Sequence, residues 1–287
     1  FFSLSHASTT GDDRPYLEWH LLDHMPEQYQ LPGLVLGQRW ASTPTCREAR
    51  AAAVEGWSEV DHVVCYLMGN PVDETIDDFF TLGAHLAELG RFSLSLPSQY
   101  RGALRLLETH AAPRALVAAD VVPFRPHRGI YLIVEEPTDP SAQDAHRQRR
   151  HVELVPELVS VPGVAGAWTY ATTPAIRRPM FTKGNYTMTV CYLDDDPATV
   201  GRRLDTAARA GFPATCTVLA MLVTQAPFGF PGQVVLLPAV SLAFIWFWSL
   251  FRPAAMPPPA VFAVGVLMDL LGYLPLGVGV LTLLAAH

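Results

Sequence analysis

His20, His24 and Glu27 stand at i, i+4 and i+7, which puts all three on one face of a helix. Two imidazoles one turn apart can share a metal ion, and one imidazole can act as a general base near neutral pH. The Glu that follows the first His in a zinc-protease helix is missing, because Leu21 stands there. Pro26 also interrupts the helix between His24 and Glu27. Acid–base work in a pocket, or a structural role, therefore fits better than a metal. His62 stands beside Val64 and Tyr66 in a β-branched and aromatic run. It can point into a cleft or sit satisfied in a core. Trp40, Trp57, Tyr66 and Tyr170 can line an apolar pocket or belong to the core. No phosphate loop, nucleophile elbow or flavin motif occurs, and no cofactor or metal is expected.

The segment that must position these groups occurs twice. Pro26-Glu27-Gln28-Tyr29-Gln30-Leu31-Pro32-Gly33 returns as Pro156-Glu157-Leu158-Val159-Ser160-Val161-Pro162-Gly163, at an offset of 130. Gly37 to Trp40 faces Ala167 to Tyr170, and Phe1 to Leu4 faces Tyr131 to Val134. Cys65-Tyr66-Leu67 recurs as Cys191-Tyr192-Leu193, read at an offset of 126. Each copy reads as strand, helix, strand, strand, helix, strand. In the first copy the strands are expected at Phe1–Ser8, Leu34–Ser42, Val60–Met68 and Arg114–Phe124. Its helices are expected at Leu17–Met25, with Leu17, Leu21, Leu22 and Met25 on the buried stripe, and from Asp73 to about Leu89. In the second copy strands are expected at Ile130–Glu136, Val164–Ala171 and Tyr186–Leu193, with helices at Ala142–Val159 and Pro197–Ala210. Its fourth strand is missing. Gly33 and Gly163 are expected to permit the turns.

This order gives an α+β fold: two tandem ferredoxin-like βαββαβ repeats whose sheets face each other as a pseudo-dimeric α/β barrel. The cleft between the sheets is the expected pocket. Residues 1–127 form the first repeat and 128–212 the second, incomplete one. The second repeat has Gly129-Ile130 ahead of the residues matching Phe1-Phe2, so the first strand is read as lacking its start and the sequence as a fragment.

Composition changes abruptly after Cys216. From Thr217 to His287 the charged residues are Arg252 and Asp269 alone, so the net charge of −7 belongs to the body. An acidic body argues against nucleic acid as a partner. Cys46, Cys65, Cys191 and Cys216 show no metal spacing. Free buried thiols at Cys65 and Cys191 suit a reducing cytosol.

Residues 213–287 read as an all-α transmembrane segment. Gln233–Phe251 and Ala260–Leu276 are the main spans, Thr215–Ala226 an upstream one, and Gly277–Ala286 the start of another. Trp246-Phe247-Trp248 serves as the interfacial belt, and the 227–232 turn lies outside. Asp269 is the intramembrane polar residue, facing a partner helix or making a structural hydrogen bond. The lipid bilayer is then a partner, and the chain is placed in a bacterial inner membrane as a multi-pass protein with a cytoplasmic body.

Two resemblances accompany this reading. Trp19-His20-x-x-Asp23-His24-x-Pro26-Glu27, with Leu31-Pro32-Gly33 and Arg39-Trp40, resembles the EthD-like branch of the dimeric α/β-barrel superfamily over residues 1–211. That resemblance implies a small hydrophobic ligand in the barrel cleft, or cofactor-free monooxygenase, cyclase or isomerase chemistry. Only the first copy can carry it, because Arg150 and Leu154 replace His20 and His24. Ala226 to Gly232, Trp248 to Pro253, Gly265-x-x-x-Asp269-Leu270-Leu271 and Pro275-Leu276-Gly277 look like the first half of the rod shape-determining protein MreD family. That resemblance implies a structural, non-catalytic role in bacterial cell-shape maintenance beside other wall-elongation membrane proteins. The alternative is that the tail is a fused or mispredicted fragment and the body alone carries the activity.

Overall fold

The computed structural model describes residues 1–8, 10–52, 54–92, 96–136, 148, 150–205, 241–246, 258–271 and 277–286. These form two compact units, Phe1–Arg202 and Arg203–His287.

The first unit is α+β and holds two four-stranded antiparallel sheets. Sheet one has the order β2-β3-β1-β4, from β1 (Phe2–His6), β2 (Leu34–Ala41), β3 (Val60–Met68) and β4 (Ser98–Gly102). Between them run α1 (Arg14–Trp19), a π-helical turn (His20–His24), α2 (Met25–Gln28), α3 (Pro44–Glu48) and α4 (Val72–Glu88). This is the βαββαβ order expected of the repeat, with its last strand in a different place. Arg114–Phe124 is not a strand: Pro113–Ala115 and Ala119–Phe124 are short 3-10 turns. Pro113 and Pro123 have no amide to give a ladder, and Leu116 adopts φ 54°.

Sheet two has the order β5-β7-β8-β6, from β5 (Arg105–Ala111), β6 (Gly129–Glu135), β7 (Val164–Ala171) and β8 (Thr187–Leu193). The strand expected to be missing from the second repeat is thus replaced at the opposite edge. β5 arrives from the end of the first repeat and pairs with β7. Only Ala103 and Leu104, both buried, separate β4 from β5, so one continuous passage ties the two sheets together.

Alternation along the strands decides what lies between the sheets. Phe2, Leu4, Cys65 and Tyr100 from sheet one meet Trp168, Tyr170, Met188, Val190 and Tyr192 from sheet two in one apolar cluster. β7 and β8 are buried at every position, as strands covered on both faces must be. Burial in this cluster pushes the Cys65 thiol up to about 11, consistent with an inert core thiol.

The duplication is visible in an irregular detail. Pro26 was expected to kink or end its helix; instead the chain widens into a π-turn just before it. Met25 N–H donates to His20 O, a five-residue step, so the missing amide of Pro26 and its bulk fall where the ladder is already open. The second repeat does the same with a π-turn at Arg150–Leu154 and a helix Val155–Ser160 that holds Pro156 in its first turn. Of the rest of the helix expected at Ala142–Val159, Gln148 is helical and 142–147 and 149 lie outside the described residues.

The offset along β3 and β8 needs correction. Val63 pairs with Trp40 while Met188 pairs with Tyr170, which fixes the offset there at 125. Tyr66 is therefore matched by Cys191, and Cys65 by Val190. A one-residue slip exchanges the faces of a strand, so the repeated Cys-Tyr-Leu triplet does not mark equivalent positions. The turn glycines do differ in purpose. Gly163 has φ +97°, whereas Gly33 is held by proximity: a Cβ there would stand 1.8 Å from Thr75 Oγ1.

In the second unit, helix Pro258–Leu271 packs on helix Val278–Ala286 through Val261, Val264, Met268 and Leu283, with Ile245 from the helical residues 241–246. Asp269 is buried and accepts the backbone N–H groups of Gly277 at 2.8 Å and Gly279 at 2.6 Å. It caps the start of the following helix.

The transmembrane reading does not stand. Among the described residues no helix is long and apolar enough to cross a membrane. The 14 residues of Pro258–Leu271 extend about 21 Å at 1.5 Å per residue, and a bilayer core is about 30 Å thick. Val278–Ala286 has 9 residues and is shorter still. Residues 272–276, the end of the expected span Ala260–Leu276, lie outside the described residues. The multi-pass inner-membrane placement and the bilayer as partner lose their basis with the transmembrane reading. The expected span Thr215–Ala226, the 227–232 turn, Trp248 to Pro253 and most of Gln233–Phe251 lie outside the described residues.

Candidate functional site

The π-turn determines what the first helical segment presents to the sheet. Leu21 and Leu22, expected on the buried stripe, are 48% and 78% exposed. Of the expected stripe Met25 is buried; the other buried side chains are His20, His24 and Gln28, at four-residue steps across the widened turn, with half-buried Tyr16 one step ahead. It faces the outer side of sheet one, where Ser3 and Ser5 of β1 and Val64 and Tyr66 of β3 point away from the inter-sheet core. α4 supplies Phe79 and Phe80, and Phe92 closes the side. Together they line a half-open cavity of about 420 Å³, a size that suits a small organic ligand. The cavity therefore lies between the helices and sheet one. The expected cleft between the sheets is where the aromatic core packs.

Four of the lining residues, His20, His24, Gln28 and Tyr66, carry polar side-chain groups. His20 Nδ1, His24 Nδ1 and both amide atoms of Gln28 are buried and have no hydrogen-bond partner among the described residues. Gln28 is fully buried. The Tyr66 hydroxyl stands 3.5 Å from His20 Nε2. The His24 ring stacks on Trp19 at 4.8 Å between centroids and meets the edge of Phe92 at 4.9 Å, so its orientation is fixed by packing.

Burial sets the protonation of the pair. It lowers His20 to about 3, with the positive charge of Arg39 and the neighbouring histidines acting in the same direction. Burial likewise lowers His24 to about 4, against a smaller opposing pull from Asp23. Both rings are neutral at physiological pH. Burial also pushes the Tyr66 phenol up, so it remains a hydroxyl.

His62 forms a second layer beneath this site. Its Nε2–H donates to Asp13 Oδ2 at 2.8 Å, and its Nδ1 accepts from the Arg39 guanidinium at 3.0 Å. Arg39 in turn lies over the Tyr16 ring, 4.7 Å from its centroid. His62 is thereby a positioning residue under Tyr16 and His20. Burial lowers its pKa, partly offset by the Asp13 bond.

The other sequence candidates separate from these. Glu27 turns outward to Arg91 at 2.7 Å, which also binds Asp23. It does not share the histidine face because the π-turn rotates the helix between them. Trp40 belongs to the inter-sheet side, donating to His127 Nε2 at 3.2 Å. Tyr170 packs there against Phe2 at 5.1 Å. Tyr66 alone of the expected pocket residues lines the cavity. Sequence reading missed Gln28, Tyr16 and Phe79. The four-residue series Tyr16, His20, His24, Gln28 was the available signal, masked by the better apolar periodicity of the leucines.

No family model matches this chain, and no curated protein is significantly similar to it.

Proposed function

We propose that the first repeat binds a small, largely apolar ligand carrying an uncharged polar group, held in the cavity between α1–α2, α4 and sheet one. The observation that carries this reading is that three residues lining one largely apolar cavity, His20, His24 and Gln28, each hold buried side-chain polar atoms without a hydrogen-bond partner among the described residues. A buried polar atom without a partner costs about 1–3 kcal/mol, so such groups collect where a ligand supplies the partner. A carboxamide offers a donor and an acceptor side by side, which selects a ligand edge with the complementary pair. The resemblance to EthD-like proteins, carried by Trp19 to Glu27, supports the same reading.

Binding is favoured over acid–base catalysis by magnitude. A general base works best with a pKa near the operating pH, and about 3 for His20 or about 4 for His24 lies far below it. These rings serve as neutral hydrogen-bonding groups. The cell-shape role is not part of the proposal, because it enters through membrane spans that the described helices do not form.

The test is a native mass-spectrometry and thermal-shift screen of the full chain against neutral bicyclic aromatic amides and lactams. One-to-one binders that lose at least about tenfold in affinity in Gln28→Leu are expected. Binders indifferent to Gln28→Leu and His24→Leu, or no binders at all, would overturn the reading.

A further inference from the structure

Away from the cavity, three side chains from distant parts of the chain converge at the outer edge of sheet two. Glu108 and His110 alternate on β5 and share one face, and His151 stands on the π-turn of the second repeat. His110 Nε2–H donates to Glu108 Oε2 at 3.1 Å, and His151 Nδ1–H donates to the same oxygen. The ligand-capable atoms of all three lie within 4.8 Å of one another. Two imidazole nitrogens and one carboxylate oxygen therefore surround a single point.

We infer that Glu108, His110 and His151 form a binding site for a divalent transition cation of the zinc class. The donor set is N₂O, which suits zinc and its neighbours better than the all-oxygen shells of magnesium or calcium. Ligands at about 2.1 Å from a tetrahedral centre stand about 3.4 Å apart, close to the separation already present between Glu108 and His110. In the loaded site each ring offers the lone pair of the nitrogen that now donates to Glu108, and the metal takes the place of those two hydrogen bonds. Arg150, adjacent to His151, is paired with Glu135. The side chain of His151 is 58% exposed, which leaves one coordination position open to solvent. A bound ion would join β5, the strand that crosses between the sheets, to the helical layer of the second repeat.

The experiment is calorimetric titration of the full chain with zinc chloride, alongside Glu108→Gln and the double variant His110→Ala/His151→Ala. Other histidines and cysteines can contribute background, so the readout is the difference between chains. Wild type is expected to bind one equivalent more than the double variant, and Glu108→Gln to weaken that equivalent at least about tenfold. Zinc should also raise the melting temperature of wild type and leave the double variant unmoved. Circular dichroism without metal checks that the variants fold; the partly exposed positions make this the expected result. Equal zinc titrations for folded wild type and double variant would overturn the inference. Magnesium binding as strong as zinc would overturn the assigned cation class.

Discussion

The two repeats share a backbone and differ in what it encloses. Both place a π-turn six residues ahead of a proline, follow it with a short helix and turn, and enter a strand with a register shift after its first residue. In the first repeat the face so presented is His20, His24 and Gln28. In the second the same positions are Arg150, Leu154 and Leu158. Arg39 is matched by Thr169, His62 by Thr187 and Tyr66 by Cys191. Arg150 is buried, ion-paired with Glu135, and donates to Thr189 Oγ1 at 3.1 Å. One copy fills its helix–sheet layer with an ion pair and leucines. The other keeps unpartnered polar atoms on residues that line a cavity. A π-turn therefore fixes where side chains point without fixing what they do, and the second copy serves as a built-in control for the first.

The largest effect that separates the copies is in pH dependence. His20 and His24 have folded pKa values near 3 and 4, below the unfolded value of about 6.5. Between these limits the unfolded state binds more protons, so stability is full above about pH 6.5 and is lost as pH falls toward the folded values. Each group contributes about 1.4 kcal/mol per pH unit below 6.5, or roughly 4 kcal/mol for the pair by pH 5. Urea denaturation at pH 7 and pH 5 measures this. His20→Phe/His24→Leu, which removes both titrating rings, is expected to flatten most of the drop. An unchanged slope would mean that the rings are solvated.

Next in size is the ion pair of the second copy. Arg150→Ala leaves Glu135 and Thr189 without their partner and opens space in the layer. Because Glu135 is itself 26% exposed, the loss is expected at the low end for a buried pair, about 3 kcal/mol. Arg150→Met, which refills the space, should recover part of it. If instead Arg150→Ala proves neutral, the second copy is not held by this pair, and the contrast drawn between the repeats fails.

How much of this was legible in the sequence depends on which rule governed each segment. The repeat, three strands of each copy and α4 followed from periodicity and from the Pro-Glu phrase, because those segments obey period-two or helical patterning. The strand at Ser98–Gly102 and its continuation into sheet two were not legible. Their sequence alternates weakly, and their pairing is decided by partners far along the chain, β1 and β7. His20 and His24 were correctly placed on one helical face, yet the cavity was assigned to the wrong layer. The π-turn shifts the buried stripe by about one position, and no propensity rule announces it. Glu108 and His110 showed the spacing of a strand pair, but nothing local links them to His151. In the tail, a run of apolar residues concealed that Asp269 caps the helix starting at Val278.

The smallest effect should run opposite to the others. Gln28→Leu copies into the first repeat the residue that the second carries at Leu158. Glutamine and leucine have similar volumes, so the exchange fills the same space while removing two buried atoms that lack partners. Relief of that desolvation is expected to stabilise the chain by about 1–2 kcal/mol. Most core substitutions destabilise, so a gain at a fully buried position is a specific outcome. If the denaturation midpoint rises while ligand binding disappears, Gln28 is retained for binding at the expense of stability. If the midpoint falls, the amide is already satisfied in the folded chain, and the first repeat is as closed as the second.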